Sequence, residues 1–167
     1  KLKRWDDSAF AQEASARIDH KYMITRRVLP DQIHNYAHNN EWLCRNWMNL
    51  GRAHDALGMA RSLVANPRHP RLNTLNTGWR STKYGRIRIF EVLKRFELWD
   101  ETLRLADTPY LEPTTRREEQ LKRLRLLGHA HFGKGSLSGV QSVDQEMADL
   151  LATASADKKN AEKEARE

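Results

Sequence analysis

The sequence predicts an all-α fold in which antiparallel helix pairs stack as a short, irregular, right-handed solenoid. Three observations predict it. Apolar residues recur at three- and four-residue spacing along most of the chain, the period of a helix face. Turn formers and breakers such as Gly51, Asn66-Pro67, Pro109 and Gly135 interrupt those stripes where helix–turn–helix units need them. The helix–turn–helix shape then recurs down the chain, as it does in repeat arrays.

The elements follow in order. Residues 5–18 read as a first helix, with Asp6, Asp7 and Ser8 at its start and Phe10, Ala14 and Ile18 at spacing four. A second apolar segment, Tyr22 to Leu29, stops at Pro30, and Asp31 can cap a short helix over 32–39. Residues 1–36 are expected to act as capping helices that bury Trp5, Phe10, Tyr22 and Met23, because terminal repeats are atypical. Residues 38–66 read as helix, tight turn at Gly51, helix, with Asn66-Pro67 ending the second run. The same shape returns with Ile87, Phe90, Val92 and Leu93, a turn at Glu97 to Glu101, and a run through Leu103 and Ala106. It returns once more with Leu124, Leu127, Gly128, His131 and Phe132, the turn at Gly135, then Val140, Val143 and Met147. Setting Gly51 on Glu97 places Leu57 on Leu103, Ala60 on Ala106 and Pro67 on Pro113, an offset of 46 residues. Three units result, at about 37–67, 82–113 and 121–150, followed by a charged helical or frayed tail over 151–167. Residues 68–81 are rich in turn formers and read as a long ordered loop.

The run Leu124-x-x-Leu127-Gly128-x-x-His131, continued by Gly135, Leu137 and Val140, resembles the tetratricopeptide repeat. So does Gly51-Arg52-Ala53-His54-Asp55-Ala56-Leu57, at that family's turn and second helix. The resemblance covers roughly 37–150. It departs from the family at Phe90, Thr102 and Asp144 and at the 68–81 insertion. An irregular helical bundle would carry the same stripes. The resemblance implies that small residues at Gly128 and Cys44 let paired helices approach closely. It also implies that the first helix of each pair lines a concave, partner-binding face. That face would hold His38, Glu41, Arg45, Met48 and Asn49, then Tyr84, Ile87, Glu91, Lys94 and Arg95, then Lys122, Arg125, His129 and Phe132. Chaperone-binding members clamp a peptide carboxylate with lysine and asparagine. Here Glu41 and Arg45 stand at the first clamp positions.

Composition narrows the function. The 167 residues include 39% apolar and 31% charged, with a formal net charge of +7. A basic surplus favours an acidic partner. The apolar stretches are too short to span a bilayer, so no membrane span is expected. The start at Lys1 without a methionine or a signal-like apolar run suggests a piece of a longer or processed protein. The single cysteine, Cys44, falls in the Trp42–Leu50 stripe and is expected in the core. One thiol builds no internal disulfide, which permits a reducing compartment, with a cytoplasmic location favoured.

No catalytic or cofactor signature is present: no Gly-x-Ser-x-Gly, Walker loop, His-Glu-x-x-His or Gly-x-Gly-x-x-Gly. Neither catalysis nor a cofactor is expected. His129 and His131 lie two apart on a helix, about 200° around it, and cannot share a metal ion. His131, at the family's aromatic position, is expected to pack in the core. The leading expectation is a scaffold that binds an acidic or extended protein segment through Arg45, Met48, Asn49, Tyr84, Lys94, Arg95, Lys122, Arg125, His129 and Phe132. The alternative is nucleic-acid binding by Arg68, Arg71, Trp79, Arg80, Lys83, Arg86 and Arg88, cations interleaved with aromatics over 68–95. A third reading is an accessory domain of a larger enzyme.

Overall fold

A computed structural model describes residues 3–33, 35–76 and 80–164. The described residues form seven α-helices and no strand: α1 (Trp5–Arg26), α2 (Tyr36–Asn49), α3 (Ala53–Ala65), α4 (Ser81–Arg95), α5 (Trp99–Leu105), α6 (Arg117–Gly133) and α7 (Leu137–Glu164). A 3₁₀ turn at Pro30–Gln32 joins α1 to α2. None of these helices is long and apolar enough to cross a membrane.

The expected turns are present, and they share one backbone device. After α2, Gly51 takes φ 77°, with Gly51 N–H donating to Met48 O at 3.3 Å and Arg52 N–H to Trp47 O at 2.9 Å. After α6, Gly135 takes φ 67°, with Gly135 N–H donating to Phe132 O and Ser136 N–H to His131 O, both at 2.9 Å. Both sets have the bonding of a Schellman stop. Glu97, aligned with Gly51 by sequence, ends α4 at φ 51°. The aligned positions therefore share the left-handed conformation, and Glu97 adopts it without glycine's freedom.

The chain folds as two compact units, one up to Phe96 and one from Glu97 onward. The division falls inside the 82–113 segment. In the first unit α1 packs on α2, α2 on α3, and α4 on both α3 and α2. His38 meets Tyr84, Glu41 meets Arg88, and Asn49 meets Arg95. These contacts advance together along both helices, so α2 and α4 run parallel, with α3 returning antiparallel to α2. The core contains Leu43, Cys44, Ala56, Leu57, Ala60, Leu63, Ile89, Val92 and Leu93.

The second unit packs α6 against α5 and α7. Its centre is Leu124, Leu127 and Val143, covered by Leu103, Ala106, Met147 and Leu150. Buried Arg123 donates to the carbonyls of Leu111 at 2.7 Å and Ala106 at 3.2 Å, satisfying the backbone where α5 ends. The tail expected after residue 150 continues α7 as helix to Glu164.

Three expectations need correction. First, α1 is one helix to Arg26, not two segments. Nothing between Ile18 and Tyr22 breaks a helix, and the stop comes at Arg27 with φ 53°. Nor is there a separate short helix over 32–39: Gln32 closes the 3₁₀ turn, His34 lies outside the described residues, and 36–39 are helical as the start of α2. Asp31 caps none and instead accepts from His69 N–H and Asn73 Nδ2, each at 2.7 Å.

Second, the Phe10–Ala14–Ile18 stripe does not face the core. Phe10 is 77% exposed and Ile18 69%. The opposite face packs inward because α2 presents polar groups that need partners. Asn46 Nδ2 donates to Ser8 Oγ and Asn39 Nδ2 to Ser15 Oγ, both at 2.8 Å, and Trp47 Nε1 donates to Glu13 at 3.0 Å. Burial raises the Asp19 carboxyl above its usual range at this interface, although the hydrogen bond from Asn39 opposes the shift.

Third, Gly128 is not a point of close approach. A methyl group there would meet Val143 at 3.5 Å, an ordinary contact. The tight crossings are Gly85 against α3, Gly133 against the Trp99 ring, and Gly139 against the His131 ring.

Cys44 lies in the core, fully buried. Burial pushes its thiol up to about 12 from 9.0; Arg88 opposes that shift and Glu41 adds to it. The native state therefore holds a proton that the unfolded chain has lost between pH 9 and about 12. Stability is intact below pH 9 and falls as pH rises through that window, by up to about 1.4 kcal/mol per unit. Cys44→Ala is expected to flatten this slope in denaturation curves taken from pH 8 to 11. An unchanged slope would show that other groups set it.

Candidate functional site

The first unit brings a band of aromatic and cationic side chains together across the parallel pair α2 and α4. Both helices give their apolar residues to the core, and their other faces meet solvent side by side. His38 on α2 is exposed, its ring 6.0 Å from Trp42 edge-on and 6.3 Å from Tyr84 on α4. Trp42 is 37% exposed, and the Arg45 guanidinium lies over its ring at 4.3 Å. Further along, Arg95 donates to Asn49 Oδ1 at 3.1 Å, next to exposed Lys94.

Beneath the band sits a buried ion pair. Glu41 and Arg88 are 3% and 8% exposed, and Arg88 Nε donates to Glu41 Oε2 at 2.7 Å. Arg88 also binds Glu91 on its own helix. The pair joins α2 to α4 and neutralises its own charge, so it adds little to the field outside.

This geometry sorts the residues singled out by sequence. Arg45, Asn49, Tyr84, Lys94 and Arg95 lie on or beside the band. Met48 is buried and cannot touch a partner. Glu41 is an interior anchor rather than a clamp residue. Ile87 is half-buried and Glu91 exposed. In the second unit, Lys122, Arg125, His129 and Phe132 share one exposed face of α6. Lys122 pairs with Glu119 at 2.8 Å, His129 stacks on Trp99 at 6.4 Å and 17°, and Phe132 is 78% exposed. These residues lie together within the second unit. His131, expected in the core, is half-buried.

The alternative basic patch is largely committed to the fold. Arg86 and Arg88 are buried, Arg86 against the Phe90 ring at 5.4 Å. They are removed from any phosphate-binding surface. Arg68 donates to Val64 O at 2.9 Å and Thr82 Oγ1 at 2.6 Å. Arg71 and Arg80 are exposed and Lys83 half-buried, while Trp79 lies outside the described residues.

Sequence reasoning took Trp42 as core and missed its exposed ring. It also missed Asn73, which is fully buried and organises the 68–81 loop. Asn73 Nδ2 donates to Asp31 and Ser81, and its Oδ1 accepts from Thr82 N–H at 3.1 Å, capping α4 from nine residues upstream. An Asn in a turn-rich segment is too common for sequence to single it out.

A cleft of about 500 Å³ opens between α1, α2 and α3, lined by Glu13, His20, Tyr36, Asn40, Trp47 and Arg52. Its polar groups largely engage one another: Arg52 reaches Glu13 at 3.3 Å, and Asn66 Nδ2 donates to Tyr36 at 2.7 Å. Among the described residues no group of three His, Cys, Asp or Glu side chains is placed to hold a metal ion. No family model, curated protein or solved structure matches the chain. The surface chemistry therefore carries the functional reading.

Proposed function

We propose that the chain is a non-catalytic protein-interaction module whose α2–α4 face takes an extended, acidic peptide segment. The observation that carries this reading is the band of His38, Trp42, Arg45, Tyr84 and Arg95. An exposed indole supplies contact area at little entropic cost. Arg45, its guanidinium 4.3 Å over that indole, is positioned to grip a carboxylate through two parallel hydrogen bonds. The partner would place an apolar residue on Trp42 and carboxylates toward Arg45 and Arg95.

A degenerate tetratricopeptide-like architecture fits this reading. Its supports are the aligned positive-φ stops at Gly51, Glu97 and Gly135 and the parallel course of α2 and α4. Nucleic-acid binding is the weaker alternative, since Arg86 and Arg88 are buried.

A displayed library of random peptides, selected on the whole chain, tests the proposal. Enriched sequences are expected to carry Asp or Glu beside an apolar residue. Trp42→Ala and Arg45→Glu are each expected to weaken the selected peptides about tenfold or more. No enrichment, or binding indifferent to both changes, would overturn it. So would preferred capture of single-stranded oligonucleotides with steep salt dependence.

A further inference from the structure

Helix α1 is built inside out. Its polar face is fastened to α2, while Phe10, Ile18, Tyr22 and Ile24 point to solvent. Asp7, Ala11, Ala14, Ile18, Lys21 and Thr25 recur at alternating spacings of four and three, the spacing of a coiled-coil seam. All six are exposed, with Phe10 and Arg17 exposed beside them. At 22 residues the helix is about 33 Å long.

The geometry points to a second copy of this chain as the occupant of that face, docked α1 against α1 in antiparallel order about Ala14. The exposed stripe Asp7, Phe10, Ala14, Ile18 and Lys21, at spacings of three, four, four and three, reads the same way in both directions around that residue. Phe10 and Ile18 each lie four positions from Ala14, so Phe10 of each copy meets Ile18 of the other. Asp7 and Lys21 each lie seven positions away, so every Asp7 meets a Lys21. Ala11 and Ala14 between them are small enough for a close crossing.

Charge favours the antiparallel order over the parallel one. Asp6 and Asp7 sit at the helix start, while Arg17, Lys21 and Arg26 lie in its later turns. Parallel docking would set Asp7 on Asp7 and Lys21 on Lys21, like charge against like. Antiparallel docking pairs opposite charges and opposes the two helix dipoles favourably. It is also an isologous two-fold contact, the common route to a closed dimer. The prediction is independent of the peptide-binding reading, because α1 contributes nothing to the α2–α4 band.

Sedimentation velocity on the whole chain tests it. A dimer that dissociates on dilution is expected. Phe10→Asp and Ile18→Asp should each weaken it about tenfold or more while leaving the helical circular dichroism unchanged, since both side chains are exposed. Asp7→Lys and Lys21→Asp should each weaken it, and the double variant should restore it. Ala14→Cys should oxidise readily to a disulfide-linked dimer, without competition from buried Cys44. A monomer at up to about 100 μM would overturn the inference. So would a dimer indifferent to Phe10→Asp, a double charge reversal that fails to restore it, or a monomer that adsorbs through Phe10 and Ile18 to anionic phospholipid vesicles.

Discussion

Replacing Glu41 by alanine is expected to destabilise the first unit by about 3 kcal/mol, toward the lower end of what breaking a buried ion pair costs. The loss is large because of what stays behind. Arg88 is 8% exposed. Burial alone would lower its pKa, yet Glu91 and Glu41 together hold it above its usual value. A guanidinium does not escape burial by shedding its proton. With Glu41 gone it would keep only Glu91, which is half open to water and tempers the loss. Glu41→Gln keeps the shape and one acceptor, so its effect should be smaller. Replacing both partners, Glu41→Met with Arg88→Met, should recover most of the stability, because no charge is then left buried. Urea denaturation followed by circular dichroism measures all three. A loss below about 1 kcal/mol for Glu41→Ala would show that Glu91 and solvent suffice for Arg88.

The same ion pair shows what the sequence does and does not make legible. The turns were readable because their cause is local: a glycine, a left-handed backbone angle and the hydrogen bonds that close on it. Even Glu97, with no glycine to mark it, was found by alignment with Gly51. The fate of a charged residue is not local. Arg86, Arg88 and Arg45 look alike in the sequence. Arg88 is interior because Glu41 lies opposite it on a helix 47 positions earlier, and Arg45 stays half-buried at the surface because α2 turns it onto Trp42.

Helix α1 failed for a related reason. Its stripe of Phe10, Ala14 and Ile18 has the right period for burial, and period is what sequence displays. Which face turns inward was decided by the needs of the helix it meets. Asn39, Asn46 and Trp47 of α2 offered hydrogen-bond donors, and Ser15, Ser8 and Glu13 answered them. The candidate site inherits both lessons. Its cations were legible as a set, while its exposed indole and the buried pair beneath it depended on partners far away in the chain.

Gly85→Ala is the other change expected to do severe damage, and intrinsic preference points the opposite way. In a helix interior alanine is favoured over glycine by about 1 kcal/mol, so the substitution looks stabilising. Packing reverses the sign. A methyl group at Gly85 would lie 2.6 Å from the Ala60 carbonyl oxygen and 2.9 Å from both Leu63 Cβ and Val64 Cγ2. These atoms belong to the backbone of α3 or sit close to it, so no rotamer change clears them. The helices must move apart, and the buried contacts of Ala60, Leu63, Ile89 and Val92 loosen with them. Overpacking of this kind costs about 1–3 kcal/mol, and a backbone clash puts this position at the upper end. Gly58 provides the control. It lies on α3, and a methyl group there would meet nothing within 4 Å. Gly58→Ala should therefore stabilise by roughly 0.5–1 kcal/mol. Thermal melts of the two variants should shift in opposite directions. Ala60→Gly should not rescue Gly85→Ala, because the nearest clashing atom is a carbonyl oxygen that every residue carries. A rescue would mean that side chains, not backbones, set the distance between α3 and α4.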